Sequence, residues 1–167
     1  VCIQAVAAVQ ALYTPITDSL YPVMVRERRL GRIRQMLRLF LPVVTAGCVA
    51  AWFLADFGIR LIGGDGYAEA VPVFRCLIPV LFFSFFALLL GWPALGAIDR
   101  NAETSRSTVY ALSFQLLGLL ALLLSGRYSL MAVAVLRSIT EVVLCGIRGA
   151  YIWKNRGEFA DIKGANK

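Results

Sequence analysis

The chain has 167 residues, of which 59% are hydrophobic, with a mean hydropathy of +0.73 and a formal net charge of +7. This composition lies well outside the averages of soluble domains and is typical of a chain that has lipid as its solvent. A positive net charge is also found in nucleic-acid-binding proteins. Here, however, the basic residues lie between apolar runs, where the positive-inside rule of membrane proteins places them, and we expect no nucleic-acid partner.

Long uncharged runs organise the chain. Cys76–Ile98 has 23 residues and Ser107–Gly126 has 20 without Asp, Glu, Lys or Arg, and about 20 apolar residues suffice to span a bilayer as a helix. A β-barrel would need alternating polar and apolar residues, which these runs lack. The sequence thus predicts an all-α fold, a polytopic membrane helix bundle of about five transmembrane helices, at Val1–Met24, Gln35–Ile62, Val71–Ile98, Arg106–Ser125 and Ser129–Trp153.

Lysine and arginine are distributed unequally between the two ends of these predicted helices. Alternate loops, with the tail included, hold 12 of them on one side and 3 on the other, and the basic side of a membrane protein is cytoplasmic. The largest group is the Arg26–Arg38 loop, which could also bind anionic lipid headgroups if it is helical. We expect this loop on the cytoplasmic side and Asp65–Tyr67 outside. Residues 1–153 would form the transmembrane part and 154–167 a short, frayed cytoplasmic tail.

The sequence lacks the residues of common catalytic and metal sites. It has no histidine, and its four cysteines lie far apart, mostly in apolar runs, where a thiol behaves as a small apolar side chain. It contains no catalytic serine motif and no phosphate-binding loop. We therefore expect no enzyme activity, no catalytic residue, no cofactor and no metal.

Three charged residues in the fifth predicted span form a candidate site. At about 100° per residue, Glu141 and Arg148 fall within about 40° of Arg137 on a helical wheel, so all three share one narrow face. A charge inside a bilayer costs roughly 2.5–3.5 kcal/mol on insertion scales. Arg137 and Glu141, four residues apart, can lower that cost by pairing. Such a face lies against protein or water rather than lipid.

Two interpretations of this face remain open. The functional one is a cationic cavity lining, with Arg137, Glu141 and Arg148 as substrate-binding residues for an anion such as a phosphate, which arginine can hold in a bidentate fork. The other is a salt-bridge network that only fixes helix packing, with Asp18 of the first span as a further member. Gln115, alone in the fourth span, is typical of a hydrogen bond between helices.

Four segments carry a resemblance to a known family. They read PITDSLYP, RQMLRLFLPVV, GGDGYAEAVPVFRCL and GWPALGAIDRN, and they begin at Pro15, Arg34, Gly63 and Gly91. In this order and spacing they resemble the C-terminal part of bacterial polysaccharide flippases. These are the O-antigen and capsule repeat-unit transporters of the multidrug/oligosaccharidyl-lipid/polysaccharide superfamily. The resemblance extends to about Trp153.

The resemblance implies a transporter of about twelve helices in two lobes, of which this chain would be the last five. Its implied substrate is an undecaprenyl-pyrophosphate-linked oligosaccharide, flipped across the bacterial inner (plasma) membrane during lipopolysaccharide or capsule biosynthesis. The implied partners are this lipid-linked oligosaccharide, the membrane lipids and the missing N-terminal lobe of the same protein. We therefore expect the chain alone not to flip its substrate. Family cavities are cationic, which Arg137 and Arg148 would match, although neither aligns with a defined family motif.

Two alternatives to a flippase stay open. One is a drug/cation antiporter of the same superfamily, which would need a titratable carboxylate in its cavity, and Glu141 is the candidate. The other is a non-transporting membrane scaffold for a polysaccharide assembly complex, or a truncated remnant of a transporter.

Overall fold

The computed structural model describes residues 2–27, 30–126 and 128–159, and these residues are helical over almost their whole length, with no strand among them. The all-α helix bundle expected from the sequence is therefore confirmed. The elements in chain order are α1 (Cys2–Ala11), α2 (Tyr13–Glu27), α3 (Leu30–Gly63), a 3₁₀ segment (Asp65–Ala70), α4 (Val71–Leu89) continued by a π-helical segment (Leu90–Leu95), α5 (Asn101–Leu124) and α6 (Leu130–Lys154).

Four helices of the described chain are long and apolar enough to cross a membrane. They are Ile33–Leu61 within α3, Val71–Leu95 along α4 and its π-helical continuation, Asn101–Leu124 and Leu130–Lys154. These helices occupy the second to fifth predicted spans. Their ends differ from the predicted ones by a few residues, the largest difference being α5, which starts at Asn101 instead of Arg106.

The first predicted span is divided into two shorter helices. Helix α1 ends at Ala11, and Leu12 forms a turn in which its N–H donates to the carbonyl of Val9 at 3.1 Å. Pro15 explains the position of the break, because proline has no N–H to donate to the carbonyl of Ala11 and its ring crowds that carbonyl. Helix α2 then restarts at Tyr13 with Pro15 in its first turn, where a missing N–H costs little.

The basic segment expected to be a loop is largely helical. Helix α2 reaches Glu27 and α3 begins at Leu30. Arg34 and Arg38 therefore lie on α3, both exposed, while Ile33 of the same helix is buried in the main core with Met24 of α2. At 1.5 Å per residue the 34 residues of α3 extend about 51 Å. This exceeds the roughly 30 Å of a bilayer core, so α3 continues beyond it.

Among the described residues, the most extensive contact between two helices is that of α4 with α6. Helix α5 packs against α6 and helix α3 against α4, so these two flank the pair. The main core lies towards the end of the bundle that carries the basic segment, around Phe85, Leu89 and Leu95. A smaller apolar cluster, including Val6 and Ala134, lies towards the other end. Helices α3 and α5 turn large apolar side chains outward, which water would disfavour and lipid tolerates.

The chain after α6 is packed against the bundle and is not frayed as far as the structure describes it. Phe159 is 4% exposed and belongs to the main core. Arg100 donates to the Glu158 carboxylate through both Nε, at 3.1 Å from Oε2, and Nη2. Asn155 Nδ2 donates to Glu103 Oε2 at 2.6 Å. The hydrogen bonds from Arg100 hold the pKa of Glu158 below its usual value.

We expect Glu158→Gln to release this short segment. The substitution removes the charge that holds Arg100 and leaves the apolar contacts of Phe159 in place, so tryptic cleavage after Lys154 and Arg156 should accelerate several-fold. Glu69→Gln, the same chemical change at the opposite end of the bundle, is the control. Equal cleavage rates in both variants would show that the ion pair does not hold the segment.

The ends of α5 provide a test of the predicted topology. Ser105 and Ser125 are both exposed, and their separation of 20 positions corresponds to about 30 Å of helix. In a chain whose native cysteines are replaced by alanine, Ser105→Cys should react with an impermeant thiol reagent from the cytoplasmic side, and Ser125→Cys from the outside. Labelling of both from the same side would contradict a membrane-crossing α5.

Candidate functional site

A cavity of about 650 Å³ lies between α1, the 3₁₀ segment, α4, α5 and α6. Its walls are mostly apolar, and they include Val6, Val73, Leu77, Val80, Leu130 and Val133. Four longer polar side chains also line it, and these are Gln10, Glu69, Gln115 and Arg137. Apolar walls with a few polar groups at defined places are the usual composition of a site for a small molecule or part of a larger one.

Among the described residues that line this cavity, Arg137 is the one with a cationic side chain. Its side chain is 44% exposed, and its Nη2 lies 2.6 Å from Oε1 of Glu141, whose side chain is 6% exposed. The four-residue spacing on α6 places the two side chains one turn apart and makes this ion pair possible. Glu141 thus holds the guanidinium from behind, while the rest of Arg137 faces the cavity.

Gln115 is held beside the cavity by α6. Thr140 Oγ1 lies 2.5 Å from Gln115 Oε1 and 2.9 Å from the carbonyl oxygen of Leu136. The polar residue of the fourth predicted span therefore makes the helix–helix hydrogen bond expected from the sequence. The contact brings the amide of α5 close to the α6 face that carries Arg137 and Glu141.

Arg148 lies apart from this cavity, in the interface between α4, α5 and α6. Its side chain donates through all three nitrogens: Nη1 to the carbonyl of Ala87 at 2.6 Å, Nε to Ser107 Oγ at 3.1 Å and Nη2 to Thr108 Oγ1 at 3.1 Å. The residue is 7% exposed. Although it shares a helix face with Arg137, Arg148 lies eleven positions further along α6, which corresponds to about 16 Å of helix.

The structure therefore brings Arg137 and Glu141 together at the cavity and gives Arg148 a different set of partners. The helical spacing of the three residues predicts their shared face, but it contains no information on which neighbouring helix meets each part of that face. Gln10 and Glu69 were not singled out from the sequence, because nothing in their local pattern indicates that α1 and the 3₁₀ segment meet α6. Among the described residues, no group of three or more His, Cys, Asp or Glu is placed to hold a metal ion.

Comparison with protein family models, curated proteins and solved structures finds no match to this chain. What the structure establishes is the class: an all-α protein with four helices of the length and apolarity needed to cross a membrane. Its function must be argued from the cavity and from the residues around it.

We expect Arg137→Ala to destabilise the protein. The substitution strands the buried Glu141 carboxylate without its partner, and an unsatisfied buried polar group costs about 1–3 kcal/mol. The double substitution Arg137→Ala/Glu141→Ala should recover most of that loss. Thermal unfolding in lipid nanodiscs measures the effect, with Arg106→Ala, an exposed arginine of α5, as the control. A double variant no more stable than Arg137→Ala would contradict the pairing.

Proposed function

We propose that this chain is part of a membrane transporter that flips an undecaprenyl-pyrophosphate-linked oligosaccharide across the bacterial inner membrane. The observation that carries the proposal is the cavity, in which apolar walls surround the partly exposed guanidinium of Arg137. An amphiphile with an anionic head and a hydrocarbon chain is complementary to such a site. The family resemblance of the segments beginning at Pro15, Arg34, Gly63 and Gly91 supports the same class of substrate.

Arg137 would bind the pyrophosphate. A guanidinium presents a planar fork of donors that matches two phosphate oxygens, and the amides of Gln10 and Gln115 add further donors around the same space. In the empty cavity Glu141 would hold Arg137 as its ion-pair partner, and it would not itself contact the substrate, because its carboxylate is buried behind the guanidinium. Binding of the anionic head would therefore compete with the Arg137–Glu141 ion pair.

The size of the cavity limits what it can hold. A volume of about 650 Å³ lies in the range of sites for small molecules, so it accommodates a head group and part of a hydrocarbon chain. The saccharide and the rest of the lipid would need further walls. We propose that the N-terminal lobe of the same protein supplies them and that the membrane takes up the remaining isoprenoid chain.

The proposed orientation places this cavity at the outer end of the bundle. Its lining includes Gly66 and Glu69 of the 3₁₀ segment and Leu130 at the start of α6, and these helix ends lie opposite to the ends that carry the basic segment. If the basic ends face the cytoplasm, the site lies on the side where a flipped substrate is released.

A drug/cation antiporter is less well supported by the site. Such a transporter needs a carboxylate that is free to exchange a cation for a proton. Glu141 is instead buried and paired with Arg137 at 2.6 Å, and of these two residues only Arg137 lines the cavity. A cationic substrate would meet the charge of Arg137 there as well as the lining carboxylate of Glu69.

Binding of farnesyl pyrophosphate, a short prenyl pyrophosphate, tests the proposed site. We expect the chain in lipid nanodiscs to bind it, and Arg137→Gln/Glu141→Gln to bind it about ten-fold more weakly, a loss of about 1.4 kcal/mol. This double variant replaces the ion pair by a neutral hydrogen-bonding pair of similar size and so avoids a stranded carboxylate. The matched control is Arg106→Gln, which removes an exposed arginine outside the cavity.

Two results would contradict the proposed substrate. One is unchanged binding by the double variant. The other is preferential binding of tetraphenylphosphonium, an apolar cation, which would favour the antiporter. Transport itself is tested with the full-length gene, which also encodes the proposed N-terminal lobe, in a flippase-deficient strain. Restored surface polysaccharide supports a flippase, and its absence at normal protein abundance favours a scaffold.

A further inference from the structure

We propose that the π-helical segment Leu90–Leu95 is a hinge in α4 and that Arg148 is the latch that holds the hinge in the observed conformation. The proposal does not depend on which molecule the protein transports. It rests on the geometry of this segment, on the contacts of one buried guanidinium and on the way α2 contacts α4 on both sides of the segment.

The backbone of α4 changes its hydrogen-bonding pattern at this point. The π-helical turn spans six residues and contains Pro93, which has no N–H to donate. π-Helical turns inside α-helices occur frequently at functional sites. Side-chain donors can add to the backbone hydrogen bonds of carbonyls beside such a turn, because no water competes for them in the hydrocarbon core. The carbonyl of Ala87, for example, also accepts from the Leu90 N–H.

Side chains from two neighbouring helices supply donors there. Arg148 Nη1 on α6 donates to the carbonyl of Ala87 at 2.6 Å, and Thr104 Oγ1 on α5 lies 3.4 Å from the carbonyl oxygen of Gly91. The same guanidinium donates to Ser107 and Thr108 of α5. A single side chain of α6 therefore joins α4 to α5 beside the π-helical turn.

Gly91 makes this arrangement possible. A Cβ atom at this position would lie 2.7 Å from Arg148 Nη1 and 2.8 Å from its Cζ, closer than non-bonded atoms approach. The guanidinium thus lies directly against the backbone of the π-helical turn, in space that any other residue would fill. A larger residue at position 91 would displace Arg148 without removing its charge.

Separate contacts hold the hinge and the residues that follow it. Trp92, within the π-helical turn, stacks on Tyr21 of α2 with ring centroids 5.0 Å apart and 17° between the planes. A Cβ on Gly96 would lie 3.3 Å from the Tyr21 ring and 3.2 Å from Asn101 Oδ1. The segment that follows the π-helical turn is therefore closely packed against α2 and the start of α5.

Helix α2 also contacts α4 on the other side of the hinge. Tyr13 Oη donates to the carbonyl of Leu81 at 3.2 Å, and the Tyr13 ring packs edge-on against Phe85 at 5.1 Å. If α4 bends at Leu90–Leu95, α2 cannot keep both sets of contacts. Helix α1, which precedes α2 and lines the cavity through Val6 and Gln10, would move with it, so the latch would control the width of the cavity.

Hydrogen exchange in lipid nanodiscs tests the latch. Arg148→Met removes the donors but keeps an apolar side chain of similar length, and we expect exchange of the amides in residues 89–97 to rise by about ten-fold or more while the rest of α4 changes little. Ser138→Ala is the matched control, because Ser138 Oγ donates to the carbonyl of Cys76 at 2.6 Å, in the other half of the same helix pair. Its effect should be confined to the region around Cys76.

Gly91→Ala gives a second way to open the latch if Arg148→Met does not fold. It should raise exchange in the same residues, while Gly146→Ala on α6, where a Cβ would meet no atom within 4 Å, should not. In the Arg148→Met background, Gly91→Ala should add little, since the atoms that it displaces are gone. Unchanged exchange in 89–97 in Gly91→Ala, or a uniform rise throughout the chain in Arg148→Met, would overturn the latch.

Movement at the hinge needs its own measurement. Nitroxide labels at Ser19→Cys on α2 and Ser113→Cys on α5, both exposed, report the distance between α2 and the α5–α6 side of the bundle in a chain whose native cysteines are replaced. Opening the latch with Arg148→Met or Gly91→Ala should broaden or shift this distance distribution. A distribution unchanged in Gly91→Ala, with Gly146→Ala as the reference, would mean that Arg148 is a static pin and would overturn the hinge.

Discussion

Satisfying the backbone of α4 inside a low-dielectric bundle is the constraint on which the rest of this structure depends. Prolines disturb α4 at Pro79 and, beyond Leu89, at Pro93, and lipid provides no water to replace lost hydrogen bonds. In an α-helix these prolines remove the donors to the carbonyls of Arg75 and Leu89, and helix α6 donates to carbonyls close to those two, from Ser138 to Cys76 and from Arg148 to Ala87. The donors are ten residues apart and the acceptors eleven, so α4 and α6 run parallel and in register, and their pairing places the other helices.

The same helix face of α6 serves two purposes at different depths. Near one end Arg137 is partly exposed to a cavity, with Glu141 behind it. Near the other end Arg148 is buried and donates a hydrogen bond from each of its three side-chain nitrogens. Both arrangements lower the free-energy cost of a charge away from water, but the two arginines differ in how freely they can change partners. Arg137 can exchange its partner for an anion that enters the cavity, whereas Arg148 can change partners only if α4 or α5 moves.

The sequence alone was sufficient for the features that depend on local pattern. Uncharged runs predicted the four long helices, and the i, i+4 spacing predicted the Arg137–Glu141 pair. The break at Leu12 was missed because the apolar run continues through it, although Pro15 gave a local signal. The cavity and the partners of Arg148 could not be predicted, because they depend on which helices meet, and single-helix periodicity contains no such information. The flippase assignment remains a prediction.

The charged residues of α3 have a consequence for how the bundle sits in a membrane. Its uncharged stretch Leu39–Ala55 has 17 residues, or about 26 Å of helix, slightly less than an average hydrocarbon core, and Arg38 and Asp56 flank it directly at its two ends. A stretch of this length is accommodated by slight thinning of the bilayer or by flanking charged side chains that reach the headgroup region. Ala55 and Ile59 of α3 share an apolar cluster with Val71 of α4, so the depth at which α3 sits in the bilayer also sets the depth at which α4 begins.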